Sequence, residues 1–231
     1  MKDILKNNLP KIFVAFLLIA IGVIGRLTFD KLLPSSPSIY LNINGITQPL
    51  FMMDLFFIVA IITILSAMLL KSYYVFLVPI SVLLISDLIL GNNFIFLFTW
   101  SGFAMVGLVF YMLKTKNKFT IKNTPLLFGA SIGSVLLYDI WTNFGTWLGG
   151  TTWGYSYTLE GLALCYTAGL PFMLWHILST TIAFGLIVLP ILYVKEKEII
   201  KIEHSFEPIE KPVALSLLAI TMVLSVIFVL V

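Results

Sequence analysis

Two aspartates stand where an anion is hardest to keep: Asp87 in PISVLLISDLILGNN and Asp139 in GSVLLYDIWTNFG. Both lie toward the C-terminal ends of predicted apolar helices, where the macrodipole disfavours negative charge. A charge in such a helix costs about 2.5–3.5 kcal/mol at its centre and less near its ends. Each therefore needs compensation: an ion pair with Arg26, a proton held by desolvation, or a bound cationic or hydrogen-bonding ligand. Asp54 and Glu160 differ, because they follow Pro49 and Thr158 near helix N-termini, where the dipole favours an anion. Arg26 falls at the favoured end of the first helix and can snorkel.

On a continuous helix Asp139, Asn143 and Trp147 recur at i, i+4 and i+8 and share a face. Gly145 is where that helix is expected to break. All five tryptophans, Trp100, Trp141, Trp147, Trp153 and Trp175, fall toward one predicted side. An interfacial belt decorates both sides, so this bias points equally to an aromatic-walled pocket for flat or cationic groups. His176 adjoins Trp175 at the expected outer end of the sixth span, but a lone histidine without ligand spacing predicts no metal.

The elements that must hold these residues are membrane helices. The 231-residue chain is 60% hydrophobic and 11% charged, with a mean hydropathy of +1.06, which places it with polytopic membrane proteins. Spanning the hydrocarbon takes roughly 20 apolar helical residues. Runs of that kind cover about 11–29, 50–70, 73–90, 94–113, 124–144 and 171–194, with a seventh at 213–231. Residues 158–170 are too short to cross and read as a half-helix or re-entrant piece. The expectation is an all-α protein: a six-helix membrane domain over 1–194, a charged linker over 195–212 and a C-terminal transmembrane helix over 213–231. GASIG, Gly129 to Gly133, suits close helix packing within the chain or with a partner. Pro79 and Pro190 each remove a backbone donor and are expected to kink their helices. One cysteine, Cys165, excludes an intramolecular disulfide and any multi-cysteine metal site.

Twelve of the fourteen basic residues fall on one side if each run crosses once, leaving Arg26 and Lys31 on the other. Positive-inside then predicts a plasma (inner) membrane protein with a cytoplasmic N-terminus, a retained first helix and an external C-terminus. Asp30, Asp54, Asp87, Asp139 and Glu160 lie at outer ends. Against two basic residues they leave a net of about three negative charges there. The linker KEKEIIKIEHSFEPIEK, with His204, reads as a solvated connector.

From Arg26 to about Pro190 the chain resembles a family of integral membrane proteins known as a domain of unknown function, which in turn look like substrate-binding subunits (S-components) of energy-coupling-factor vitamin transporters. The resemblance lies in GRL at 25–27 before a proline-bearing loop (Pro34, Pro37), FLVPISVLLISDLILG at 76–91, TNFGTWL at 142–148 and YTLEGLALCYTAGLPF at 157–172. It implies an S-component-like six-helix bundle with an outward-opening substrate site, a membrane coupling subunit and two cytoplasmic ATPases. Asp87, Asn143, Tyr157 and Glu160 are the positions it nominates. The loop over 30–48 is longer than the short proline-asparagine-threonine-proline run of such proteins, with Asn44, Thr47 and Pro49 as its remnants, and the seventh helix is additional.

The leading expectation is a non-catalytic membrane subunit capturing a small, flat, polar or cationic micronutrient. Its site would draw on Arg26, Asp87, Asp139, Asn143, Trp147, Tyr157, Glu160, Trp175 and His176, with no cofactor, metal or nucleic acid. A structural or assembly subunit, whose acids and tryptophans contact a partner, is the alternative. A membrane enzyme using Asp139, Glu160 and His176 comes third, because no nucleophile and base occur at a telling spacing. The chain has no Walker motif, so it hydrolyses no nucleotide itself.

Overall fold

The structure is a computed structural model that describes residues 2–33, 39–70, 73–91, 95–197 and Ser216. Helix α1 (Lys2–Leu32) leads into a hairpin of β1 (Ile39–Ile43) and β2 (Ile46–Phe51). Then follow α2 (Phe56–Leu69), α3 (Tyr74–Leu90), α4 (Phe96–Thr115), α5 (Thr124–Leu148) and α6 (Leu159–Ala183). A π-helical turn (Phe184–Val188) joins α6 to α7 (Leu189–Glu196), making one 38-residue apolar helix. Four helical segments are long and apolar enough to cross a membrane: Lys11–Leu32, Phe96–Thr115, Ile121–Leu148 and Leu159–Glu196. The helix expected at 213–231 lies outside the described residues, apart from Ser216, as does the linker after Lys197.

The bundle is organised around α2. Its sequence, FFIVAIITILSAML, has no polar face, and all of its residues except Phe57 are buried. A helix apolar all round needs cover on every side, and α2 is packed against α1, α3, α4 and α6. Its hydroxyls turn back onto its own backbone: Thr63 donates to the Val59 carbonyl at 2.7 Å and Ser66 to the Thr63 carbonyl at 2.8 Å. Fourteen residues of helix rise only about 21 Å.

Three expectations are corrected. The described chain is not purely helical, because Ile39–Phe51 forms an antiparallel hairpin, and the expected span at 50–70 begins only at Phe56. Asn44 (φ 53°) and Gly45 (φ 82°) supply the two left-handed residues of a tight hairpin turn between Ile43 and Ile46, and the Asn42 side chain accepts the Gly45 amide at 3.0 Å. Residues 158–170 are not re-entrant either, and the sixth span does not begin at 171. Thr158 caps α6 by accepting the Gly161 amide at 3.1 Å, and the helix runs through Pro171 without ending. Both flanks of that proline are apolar, and in hydrocarbon the backbone has no alternative to internal hydrogen bonding. The break appears lower down as the π turn ahead of Pro190, a position with no amide to donate. Finally, Gly145 does not break α5. A Cβ there would stand 2.3 Å from the Phe98 ring, so the glycine is needed for α5 to lie against α4. Gly129 and Gly133, in contrast, have nothing within 4 Å of where a Cβ would stand.

At the lysine-rich end, Lys114 is buried and its ammonium donates to the Ala67 carbonyl at 2.7 Å and to the Leu70 carbonyl. These belong to the C-terminal turn of α2, whose carbonyls have no intrahelical partner and whose dipole favours a cation. Lys114→Met is expected to lower unfolding stability by about 2 kcal/mol, read by denaturant titration in detergent. Lys116→Met, at an exposed position, is expected to leave it unchanged.

Candidate functional site

At the end of the bundle away from Lys114, α1 and α3 meet closely. A Cβ on Gly22 would lie 2.7 Å from the Val82 side chain, so only glycine allows this approach. One turn further along each helix, Arg26 reaches α3, where its guanidinium Nη1 donates to Asp87 Oδ1 at 2.6 Å and to the Ser86 hydroxyl. The other Asp87 oxygen accepts the Trp100 indole N–H at 2.8 Å. Asp87 lies in the last turn of α3, whose Gly91 cap amide bonds to its carbonyl at 3.0 Å. The charge disfavoured there by the dipole is thus met by a guanidinium and an indole.

A second constellation joins α2, α5 and α6. His176 is 2% exposed, and its ring stacks on Phe56 with centroids 4.3 Å apart. Its Nδ1 lies 2.7 Å from Asp139 Oδ1 and its Nε2 2.7 Å from Asp54 Oδ2. Each of these bonds needs one proton between nitrogen and oxygen. The three side chains therefore share two protons and carry one net negative charge, whichever atoms hold them. Asp139 is 4% exposed, and its Oδ2 finds no hydrogen-bond partner among the described residues. Asp54 is 36% exposed, and its Oδ1 accepts the Phe56 amide at 3.0 Å, at the N-terminus of α2. Two bonds strap the segment before α2 onto α6: the Met52 amide to the Pro171 carbonyl at 3.2 Å, and the Trp175 indole to the Asp54 carbonyl at 3.1 Å.

The two constellations flank a cavity of about 590 Å³ lined by Arg26, Asp30, Leu33, residues 53–56, Val59, Thr99, Phe103 and Tyr138. Its aromatic wall is Phe56, Phe103 and Tyr138, with Phe56 stacked on Phe103 at 5.2 Å. This size and mixture suit a small ligand held by a few polar groups. Tryptophans do not form the wall expected from the sequence. Trp100, Trp141, Trp147 and Trp175 donate instead to Asp87, the Ser101 hydroxyl, the Ser156 carbonyl and the Asp54 carbonyl, fastening one segment to another.

Arg26 and Asp87 come together, as do Asp139, His176 and Trp175 around Asp54, but the remaining candidates lie elsewhere. Asn143 donates to the Asp139 carbonyl at 2.8 Å and abuts Gly169 of α6. Trp147 and Tyr157 close the α5–α6 connection, with Tyr157 donating to the Leu148 carbonyl at 3.0 Å. Glu160 is exposed in the first turn of α6. His176 sits in the middle of the 38-residue helix, not at its outer end. With α5 running to Leu148, Asp139 is more than two turns from the C-terminus, so burial and not the dipole sets the need for His176. The sequence reading missed Asp54, Phe56, Thr99, Phe103 and Tyr138. Asp54 was explained by its helix N-terminus alone, and the apolar residues carried no signal beyond membrane character.

Arg26→Met should strand the Asp87 carboxylate and lower stability by about 3–5 kcal/mol, whereas Arg26→Met with Asp87→Leu should recover most of that loss. Denaturant titrations of the two single variants and the double variant check this. Additive losses would show that the pair is not coupled.

No curated protein and no solved structure matches the chain. A family model does match, over residues 6–202, which takes in both constellations and the cavity. The chain belongs to that family, DUF6580, described as a family of unknown function.

Proposed function

We propose that the protein is a substrate-capturing membrane subunit that takes a small polar or cationic solute into the cavity between Arg26 and Asp54. The observation carrying this reading is that fixed charge, aromatic wall and volume converge at one place. Arg26 and Asp54 line the cavity, and each is held from behind by a buried partner, Asp87 or His176. Side chains tied in this way lose little freedom when a ligand binds.

Orientation follows from charge. Lys114, Lys116, Lys118, Lys122, Lys195 and Lys197 gather where α4 and α7 end and α5 begins, at the opposite end from the cavity. Under the positive-inside rule that end is cytoplasmic and the cavity opens outward. In this reading all six helices α1–α6 serve as spans, the shorter α2 and α3 being sheltered by their neighbours, and the protein lies in the plasma membrane. The chain binds and does not catalyse. Uptake is energised by a membrane coupling subunit and cytoplasmic ATPases, as the S-component resemblance implies.

The test is native mass spectrometry of protein purified gently from its own host, comparing wild type with Asp54→Asn. Asparagine keeps the cap on α2 while removing the charge at the cavity. A small molecule bound to wild type and lost from the variant is expected. A bare chain in both, or one recovered only with other subunits, would favour a structural subunit of a larger complex.

A further inference from the structure

We infer that the cavity exchanges a small organic cation for a proton: an ammonium or amidinium group seats on Asp54, and the Asp54–His176–Asp139 chain releases one of its two protons. The inference rests on the small-solute reading above and adds the charge class of the ligand and its linkage to protons.

The charges decide the ligand's sign. From α1 the site is faced by Arg26 and Asp30, from α3 by Asp87, from α5 by Tyr138 and Asp139, and from α6 by His176. The facing parts of β2, α2 and α4 carry no acidic, basic, tyrosine or cysteine side chain. Arg26 and Asp87 cancel at 2.6 Å. What remains is the single negative charge of the three-residue chain and that of exposed Asp30. A cation is complementary to both.

The geometry supplies the exchange. Asp54 looks both ways, with Oδ2 on the buried imidazole and the carboxylate partly open to the cavity. A ligand N–H on Asp54 replaces the bond from His176 Nε2, so the proton in that bond is no longer needed, and a second positive charge close by disfavours keeping it. The proton leaves to water. The chain passes from two protons and one negative charge to one proton and two negative charges, and the ligand's positive charge restores the sum. His176 keeps its remaining N–H on Asp139 Oδ1. Net charge in a poorly solvated place is therefore the same before and after, which avoids the cost of adding charge there. No covalent bond to carbon forms or breaks. By linkage, a ligand that expels a proton binds more weakly as pH falls.

The probe pair is benzylammonium, which stays charged at neutral pH, and benzyl alcohol, its neutral counterpart, titrated calorimetrically into wild-type protein in lipid nanodiscs. Benzylammonium affinity is expected to rise about 100-fold from pH 6 to pH 8, tenfold per pH unit for one proton released per cation bound. Matched titrations at pH 7 in phosphate and in Tris should report net proton release. Benzyl alcohol should bind at least about tenfold more weakly and without pH dependence. His176→Gln should lose the pH dependence of whatever benzylammonium binding it retains, while the wild-type buffer pair stands even if that variant fails to fold. Unchanged affinity across the range, net proton uptake, equal binding of the two probes, or no binding of either would overturn the exchange. The cavity reading fails separately. It survives if native mass spectrometry finds a neutral or anionic solute lost from Asp54→Asn, and it falls with the exchange if both chains are bare.

Discussion

Burying a carboxylate in a hydrocarbon-embedded bundle is tolerable only if something meets its charge, and the helix arrangement follows from how Asp87 and Asp139 satisfy that requirement. Between membrane helices there is little hydrophobic drive, because lipid is as apolar as leucine, so packing of small residues and interhelical hydrogen bonds choose the neighbours. Arg26 and Asp87 set α1 against α3 across 61 positions, and His176 joins α6 to Asp54 across 122 and to Asp139 across 37. These bonds fix depth as well as adjacency. A one-residue slip of α6 would rotate His176 by about 100° and lose both carboxylates at once.

The cavity follows from the shortness of α2. Where a full-length span would begin, near residue 50, the chain is still a β-strand, and the helix starts only after the segment strapped to α6 through Met52 and Trp175. The first turn of α2 is thus sunk below the end of the bundle. The space above it is bounded by the C-terminal end of α1, the first turns of α4 and Tyr138 of α5. Glycines set how closely these walls approach. Gly22 brings Arg26 to α3, and Gly145 lets α5 lie on Phe98 of α4.

Much of this was legible in the sequence, for physical reasons that also mark where legibility ended. Hydropathy finds helices because the bilayer demands length and apolarity, so α3, α4 and α5 came out near their observed limits. It cannot tell a lipid-facing helix from a wholly enclosed one, and α2 was read as an ordinary span. Asn44-Gly45 between IYLNI and ITQPLF is a hairpin signature, but it was obscured by the expectation of a short loop. The sixth span was started at 171, with 158–170 set apart as too short to cross, whereas the helix continues through Pro171 because the backbone there has no water to turn to. The need of Asp87 and Asp139 for partners was readable, and so was Arg26. The pairing of His176 was not, because no spacing rule links positions 122 apart.

The two ends of the carboxylate–histidine chain are unlike, and that asymmetry gives the site its direction. Asp54 accepts a backbone amide at a helix N-terminus, where the dipole supports an anion, and it touches the cavity. Asp139 sits mid-helix, buried, with one oxygen unpartnered among the described residues. Electrostatics therefore places the single negative charge toward Asp54, the end open to the cavity, with the imidazole as the link to the buried carboxylate. Had Asp54 stood at a helix C-terminus, the same three residues would hold their charge deeper in the bundle and present a neutral face to the cavity.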